Sequence, residues 1–336
     1  MTVSPELPTS VRRRPAGPPV VALGGGHGLA ATLGALRHLT KDLTAVVTVA
    51  DDGGSSGRLR RELSVLPPGD LRMALSALCD DGDWGLLWRD VLQHRFLSDG
   101  ELDNHAVGNL LIVALWELLE DEVAGLDMVG RLLGVHGRVL PMAAVPLEIE
   151  ADVHSAGGLR TVHGQSAVAV EPGRVEEIRL LPENPPACPE AVAAVREAEW
   201  VVLGPGSWYT SVVPHLLVPE LSEALHNTPA RRALTVNLSA QVGETDDMTA
   251  ADHVRSLRET APDFRLDVVL ADPTAVEDVD DLTDAANACG ARVVLRQIRV
   301  GDGTPRHDPL RLAAAYRDAF EGVLGDVGRG RSGETT

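Results

Sequence analysis

The residues best placed to do chemistry lie in two glycine-rich segments, each closing an apolar run. Val20-Val21-Ala22-Leu23-Gly24-Gly25-Gly26-His27-Gly28 reads as a strand turning into a helix, and Gly26-His27-Gly28-Leu29-Ala30-Ala31 fits the GxGxxA form of a dinucleotide fingerprint. Glycines there let main-chain N–H groups and a helix N-terminus approach a pyrophosphate. The alternative is an ordinary tight strand–helix turn. About 25 residues later a second apolar run ends in Asp51-Asp52-Gly53-Gly54-Ser55-Ser56-Gly57-Arg58. Its carboxylates and hydroxyls stand where a ribose, a sugar or a metal ion would lie, although a surface loop of Gly, Ser and Asp would have the same composition.

Two further stretches follow apolar runs in the same way. Gly204-Pro205-Gly206-Ser207-Trp208-Tyr209-Thr210-Ser211 combines hydroxyls with an aromatic pair. Aromatic faces stack on rings while hydroxyls bond phosphate or sugar oxygens, yet Trp208 and Tyr209 could equally pack beneath the loop. Asn237, Gln241, Gly243, Glu244, Thr245 and Asp246 form a polar stretch directly after another apolar run. His105, near Gly108 and Asn109 at a helix start, either faces a ligand or caps the helix. Asp51, Asp52, Asp70 and Asp103 could gather a Mg²⁺ beside a pyrophosphate, or serve as caps. No Ser/His/Asp order, HExxH motif or paired-carboxylate spacing stands out, so the residues describe binding better than catalysis. Lys41 is the only lysine and falls at the turn after the first helix. Walker-type phosphate binding and Schiff-base chemistry both need a lysine at the site, so phosphate contacts must come from amides, hydroxyls and arginine.

These residues need a scaffold, and the rhythm of the chain supplies one. Strand 19–23, the glycine loop, helix 28–39 and strand 44–50 make a βαβ unit whose runs are too continuous for half-exposed strands, which implies a parallel sheet. Helical spacing marks 70–80, 83–98 and 105–120, with Asp70 and Asn104 as expected N-caps and 105–120 apolar enough to be buried. Between 140 and 182 the pattern alternates, through Val145, Leu147, Ile149, Ala151 and Val153, then 162–170, then 175–180, with turns at Gly157-Gly158 and Pro172-Gly173. This reads as a small antiparallel β insertion in the main domain. Helices at 189–198, 217–226, 249–260 and 309–323 then alternate with strands at 200–203, 233–237, 266–270 and 291–295. The expected fold is α/β, a Rossmann-like doubly wound and mostly parallel sheet over residues 19–325, with the four candidate loops on one sheet edge.

Composition removes several classes of function. With 49 acidic and 30 basic residues the formal net charge is −19, which repels nucleic acid and anionic membranes. No apolar run of membrane-spanning length occurs. Cys79, Cys188 and Cys289 are scattered, against a zinc or disulfide framework. Residues 1–18, with Arg12-Arg13-Arg14 and no apolar core, read as a disordered tail rather than a secretory leader, and 326–336 as a second tail. A cytoplasmic location is the expectation.

The run Ala45–Arg60 followed by Pro67-Pro68-Gly69-Asp70-Leu71-Arg72 resembles the gluconeogenesis factor family, also called the YvcK or CofD-like family. So do Gln93-His94-Arg95-Phe96, His105-Ala106-Val107-Gly108-Asn109-Leu110, Gly204-Pro205-Gly206-Ser207 with Tyr209-Thr210-Ser211, and Gly243-Glu244-Thr245-Asp246-Asp247, in the family's order from about 19 to about 310. The resemblance implies a bacterial protein of Rossmann-like fold that binds UDP-sugars, notably UDP-N-acetylglucosamine, and links carbon metabolism during gluconeogenic growth to cell shape and peptidoglycan synthesis. It implies no established reaction, while the relative 2-phospho-L-lactate transferase keeps a transferase reading open. A homodimer and regulatory protein partners also belong to what fold and family suggest. The chain departs from the family pattern at His27, where a threonine is usual, at Trp208, usually smaller, and at Pro309, where some relatives carry a phosphorylated threonine. Proline has no hydroxyl to phosphorylate. Arg306, just before it, is either an anion contact or a solvated charge.

The expected ligand is therefore a UDP-sugar, with no certain cofactor and no committed metal site; Asp51 and Asp52 are the candidate contacts should Mg²⁺ accompany the ligand. Amides of Gly24–Gly28 would hold the diphosphate, Asp51, Asp52, Ser55 and Ser56 the sugar or metal, and the loops at 204–210 and 237–246 would close over the rest. A Mg²⁺-dependent transferase is the alternative, and an NAD-dependent protein ranks last because no acid–base residue for hydride transfer is evident.

Overall fold

The computed structural model describes residues 17–322 except 156, 242 and 247, so the two tail readings fall outside the described residues apart from Gly17 and Pro18. The strands are β1 (Val20–Gly24), β2 (Leu43–Val47), β3 (Arg138–Pro141), β4 (Glu148–Ser155), β5 (Gly158–His163), β6 (Arg174–Leu181), β7 (Trp200–Leu203), β8 (Arg231–Thr235), β9 (Val268–Ala271) and β10 (Arg292–Leu295). The α-helices are α1 (Gly26–Leu36), α2 (Gly54–Leu63), α3 (Pro68–Ala77), α4 (Asp83–Gln93), α5 (Val107–Leu119), α6 (Glu122–Leu133), α7 (Gln165–Val168), α8 (Pro189–Glu197), α9 (Pro219–Asn227), α10 (Ala250–Thr260), α11 (Val279–Ala288) and α12 (Pro309–Glu321).

A seven-stranded parallel sheet runs in the order β10-β9-β8-β7-β1-β2-β3. Its central strands are apolar and buried throughout, as strands covered on both faces must be. The chain moves outward from β1 through β2 to β3, then returns to the other side of β1 with β7 and moves outward again. Such a winding places helices on both faces, and the carboxyl ends of β1 and β7, where its direction reverses, mark the crevice position of a doubly wound sheet. The two strands pair in register from Val20 with Trp200 to Leu23 with Leu203. Tyr316 of α12 ties this centre together: its hydroxyl meets Thr235 Oγ1 at 2.8 Å and Thr32 Oγ1 at 3.4 Å, and Thr32 Oγ1 donates to Gly204 O at 3.0 Å.

Strands β5-β4-β6 form a separate three-stranded antiparallel sheet, whose inward residues Ile149, Ala151 and Val153 join the main core. Several local expectations need correction. Residues 165–168 are a helical turn rather than part of a strand, because the chain leaves β5 at Gly164 and curls back over the site. Asp70 is not an N-cap; Pro67 occupies that place, and Asp70 lies inside α3. Nor is Asn104, which takes a left-handed turn two residues before the true cap, Ala106. Helix α5 is buried or half-buried over most of its length, with Leu110, Leu111 and Leu115 packed beside the Gly108–Asn109–Ile112–Val113–Trp116 face, but its C-terminal end is open and Leu118 is 78% exposed.

Candidate functional site

The glycine loop closes against its neighbours through missing side chains. A Cβ at Gly28 would lie 2.2 Å from Pro205 O, so the start of α1 rests directly on the loop after β7. A Cβ at Gly25 would lie 2.5 Å from both Asp70 Oδ2 and Thr48 Cγ2. The Gly26 N–H donates to the Asp70 carboxylate, which thus sits at the helix N-terminus that attracts anions. Burial, and then the charge of Asp51, push the Asp70 carboxyl up to about 7, against the opposing pull of the Gly26 amide and Arg72.

Asp51 accepts from Gly53 N at 3.0 Å, and its other oxygen faces Gly69, where a Cβ would come within 2.8 Å of it and 2.3 Å of Ser56 Oγ. The second segment thereby meets the first around Asp70. Asp52 points elsewhere, and its Oδ1 accepts from Ser166 N at 2.9 Å, fixing α7 of the insertion. Asp103 stands away from these carboxylates, exposed and accepting from Ser98 N, so the expected group of four aspartates reduces to Asp51 and Asp70. Among the described residues no three His, Cys, Asp or Glu side chains gather to hold a metal ion.

Ser55 and His105 form one hydrogen-bonded unit. Ser55 Oγ accepts from Ala106 N (3.3 Å) and Asn109 Nδ2 (3.0 Å), so its own proton goes to His105 Nδ1, 3.0 Å away. That assigns the histidine proton to Nε2. Burial, followed by the charge of Arg58, holds His105 below the usual imidazole range and keeps it neutral. Arg72 is buried with its Nε on Asn109 Oδ1 at 2.9 Å and its Nη1 on Gln93 Oε1, and burial lowers it to about 10.

The loop after β7 is held by the polar stretch after β8. Gly206 N donates to Asn237 Oδ1 (2.9 Å), Trp208 N to Gln241 Oε1 (3.1 Å), and Tyr209 N and Thr210 N to Glu244 Oε1 (2.6 and 2.9 Å). Thr245 Oγ1 in turn accepts from Gln241 N at 2.9 Å, and Gln241 Nε2 donates to Ser207 Oγ at 3.2 Å. Burial raises the Glu244 carboxyl while the two amides draw it down. Asn237, Gln241, Glu244 and Thr245 thus brace the loop. Trp208 is core, its Nε1 on Ser256 Oγ at 2.7 Å. Tyr209 lines a cavity of about 720 Å³ between β6 and α10, behind the loop. A second cavity of about 680 Å³ lies at the amino ends of β1 and β7, by Pro19 and Trp200.

Gly24 and Gly25 are buried, Gly26 and Gly28 half-buried, and His27 and Gly54 exposed. Arg306 lies on an exposed turn, paired with Asp302 at 2.7 Å. One residue at the crevice escaped the sequence reading, beside a serine that the loop already supplied. Thr48, beside Gly25, is buried with an Oγ1 that has no partner among the described residues, and Ser211 Oγ would lie 3.1 Å from a Cβ at Gly25. Thr48 could have been noticed as the hydroxyl interrupting an apolar run.

A family profile described as 2-phospho-L-lactate transferase CofD matches residues 20–294. A Mycobacterium tuberculosis protein named "Putative gluconeogenesis factor" is 52% identical over 317 residues, covering 92% of this chain and 91% of its own. The gluconeogenesis factor of Bacillus subtilis is 36% identical over 318 residues, covering 90% and 98%. The chain belongs to the CofD-like gluconeogenesis factor family. A solved member of the UPF0052 family from Bacillus halodurans shares the fold, with a TM-score of 0.81 and 32% identity over 89% of this chain and 98% of that one. In this gluconeogenesis factor homologue Pro309 is the first residue of α12, where its fixed φ suits the helix start, and Asp308 caps the helix through Leu310 N and Arg311 N.

Proposed function

We propose that this protein binds a UDP-sugar, UDP-N-acetylglucosamine in the first instance, and acts without turnover as a regulator linking carbon metabolism to cell shape and peptidoglycan synthesis. The observation that carries the reading is the meeting of Gly24–Gly28, Asp51–Ser56 and Gly204–Ser211 at the β1/β7 crevice. Main-chain amides and hydroxyls supply the anion contacts there, and no lysine is needed. The buried Thr48 hydroxyl adds a donor beside the glycine loop. The resemblance of the chain to named gluconeogenesis factors supports the physiological part. The test is thermal stabilisation by a panel of UDP-sugars, GDP and NAD, since a ligand at 100 times its Kd adds about 2.7 kcal/mol. A shift with UDP-N-acetylglucosamine and no product is expected; no shift with any UDP-sugar rejects the reading.

The adjacency of Asp51 and Asp70 favours a second reading, a Mg²⁺-dependent transferase. Magnesium is commonly held by one or two carboxylates together with substrate phosphates, so this pair suits the ion where a closed protein cage would not. Bound there, the ion would neutralise charge on a diphosphate. Product formation from a nucleotide-linked substrate, lost in Asp51→Asn while binding persists, would establish this reading.

A further inference from the structure

Arg72 is the only arginine among the described residues in the buried class, at 3% exposure, and it makes no ion pair with a described carboxylate. Its hydrogen-bond partners, Asn109 and Gln93, are neutral. Asp70 and Asp51 act on its charge from nearby without hydrogen-bonding it, so the guanidinium keeps unshared donors while burial disfavours its charge. Arg95 repels it, and Arg58, Glu62 and Arg95 all act on His105, the two arginines against its charge and Glu62 in favour of it. All three arginines are oriented by neutral oxygens: Arg95 Nη1 reaches Asn104 O at 2.8 Å, and Arg58 Nη1 and Nη2 reach Glu101 O and Asp103 O at 2.8 and 2.7 Å.

Asn109 Oδ1 and Gln93 Oε1 are taken by Arg72, and Ser55 Oγ by Ala106 N and Asn109 Nδ2. What remains without a partner among the described residues is a set of donors: Arg72 Nη2, Arg95 Nη2, Arg58 Nε and the His105 Nε2–H. Arg95 is exposed and Arg58 half-buried, so water reaches these donors, and a ligand that displaces it must bring acceptors; guanidinium forks match phosphoryl and carboxylate oxygens. The Ser55–Ser56 pair separates this corner from the crevice, for Asn109 Nδ2 reaches Ser55 Oγ at 3.0 Å and Ser56 Oγ at 3.5 Å, while Ser56 also faces Gly69 beside Asp51.

We propose that Arg58, Arg72, Arg95 and His105 form a binding corner for a second anion, the phosphoryl or carboxylate group of a small molecule that binds beside the diphosphate crevice and independently of it. The full chain is titrated by calorimetry, without nucleotide, with glycerol 3-phosphate, with glycerate and with 3-phosphoglycerate, and with glycerol as the uncharged control. Saturable binding of 3-phosphoglycerate at one site per chain is expected, and whichever single-anion compound also binds identifies the group the corner takes. Arg58→Gln and Arg95→Gln, outside the core, should each weaken it about tenfold or more, equivalent to about 1.4 kcal/mol, with unchanged melting temperature and unchanged affinity for UDP-N-acetylglucosamine. Arg72→Lys, which keeps the charge, should retain part of the binding. No saturable binding of any of the three anions, equal binding by wild type and both glutamine variants, or binding of glycerol overturns the proposal. Parallel loss of UDP-N-acetylglucosamine in Arg95→Gln also overturns it, by assigning the corner to the nucleotide-sugar. Failure of UDP-N-acetylglucosamine alone, with the corner intact, rejects only the reading of the crevice.

Discussion

Asp70 concentrates the electrostatics of the crevice. Its carboxyl is drawn in by the Gly26 N–H yet raised to about 7 by burial and by Asp51, so the folded protein holds a proton there that the unfolded chain releases near 3.8. The stability this gives is complete below about pH 4 and is lost as pH rises towards 7. Urea unfolding of wild type and Asp70→Asn across that window, with chelator present, should show wild type losing stability relative to the variant by a few kcal/mol at most, at about 1.4 kcal/mol per pKa unit. Parallel profiles would show that Asp70 titrates normally. The aspartate itself was visible in the sequence, but not all of its partners were: Arg72 stands two residues along the same helix, but Gly26 and Asp51 reach Asp70 only because α1 and the loop after β2 meet α3. The same holds for His105, whose tautomer is fixed by a serine 50 positions away.

At the scale of elements, two contacts set the shape of the crevice. Gly28 lets α1 rest on the Pro205 carbonyl, a backbone atom with little freedom to move. Gly28→Ala should cost roughly 1–3 kcal/mol and abolish stabilisation by UDP-N-acetylglucosamine; an unchanged melting temperature and unchanged binding would contradict this packing. Glu244 holds two amides of the opposite loop, so Glu244→Ala should cost roughly 2–4 kcal/mol by chemical unfolding, and Glu244→Gln, which keeps an acceptor, less than half of that. The central strands were legible because strands buried on both faces are apolar without interruption. Helix α2 was not, since it begins in Gly54-Ser55-Ser56-Gly57, poor helix formers held helical by burial of Ser55, Ser56 and Leu59. Trp208 and Tyr209 looked alike in the sequence and point into different surroundings, a difference that only the position of α10 creates.

Over the whole molecule, the β insertion joins the two halves of the rim. Its turn 164–170 touches Asp52 on one side through Ser166 N, and on the other it meets Gly243, where a Cβ would come within 2.9 Å of Val170 backbone. Segments that precede β3 and follow β8 thus share one clamp, although the sheet places β2 and β8 on opposite sides of β1. The alternation of residues 140–182 announced antiparallel strands with an apolar face that joins the core, but carried no sign of where the 164–170 turn would dock, because that contact is a single carboxylate far away in sequence. If Asp52 is the clamp, its removal should loosen the turn without loosening the sheet. Asp52→Ala should therefore raise amide hydrogen exchange at residues 164–170 by about an order of magnitude, equivalent to about 1.4 kcal/mol of local opening, while exchange in β1, β7 and β8 stays at the wild-type rate. Uniform acceleration through the sheet would show instead that Asp52 supports the global fold, and no change at 164–170 would show that Gly243 alone holds the turn. Because Asp52 lies next to Asp51 at the crevice, the same variant should also bind UDP-N-acetylglucosamine more weakly if the turn closes over the ligand.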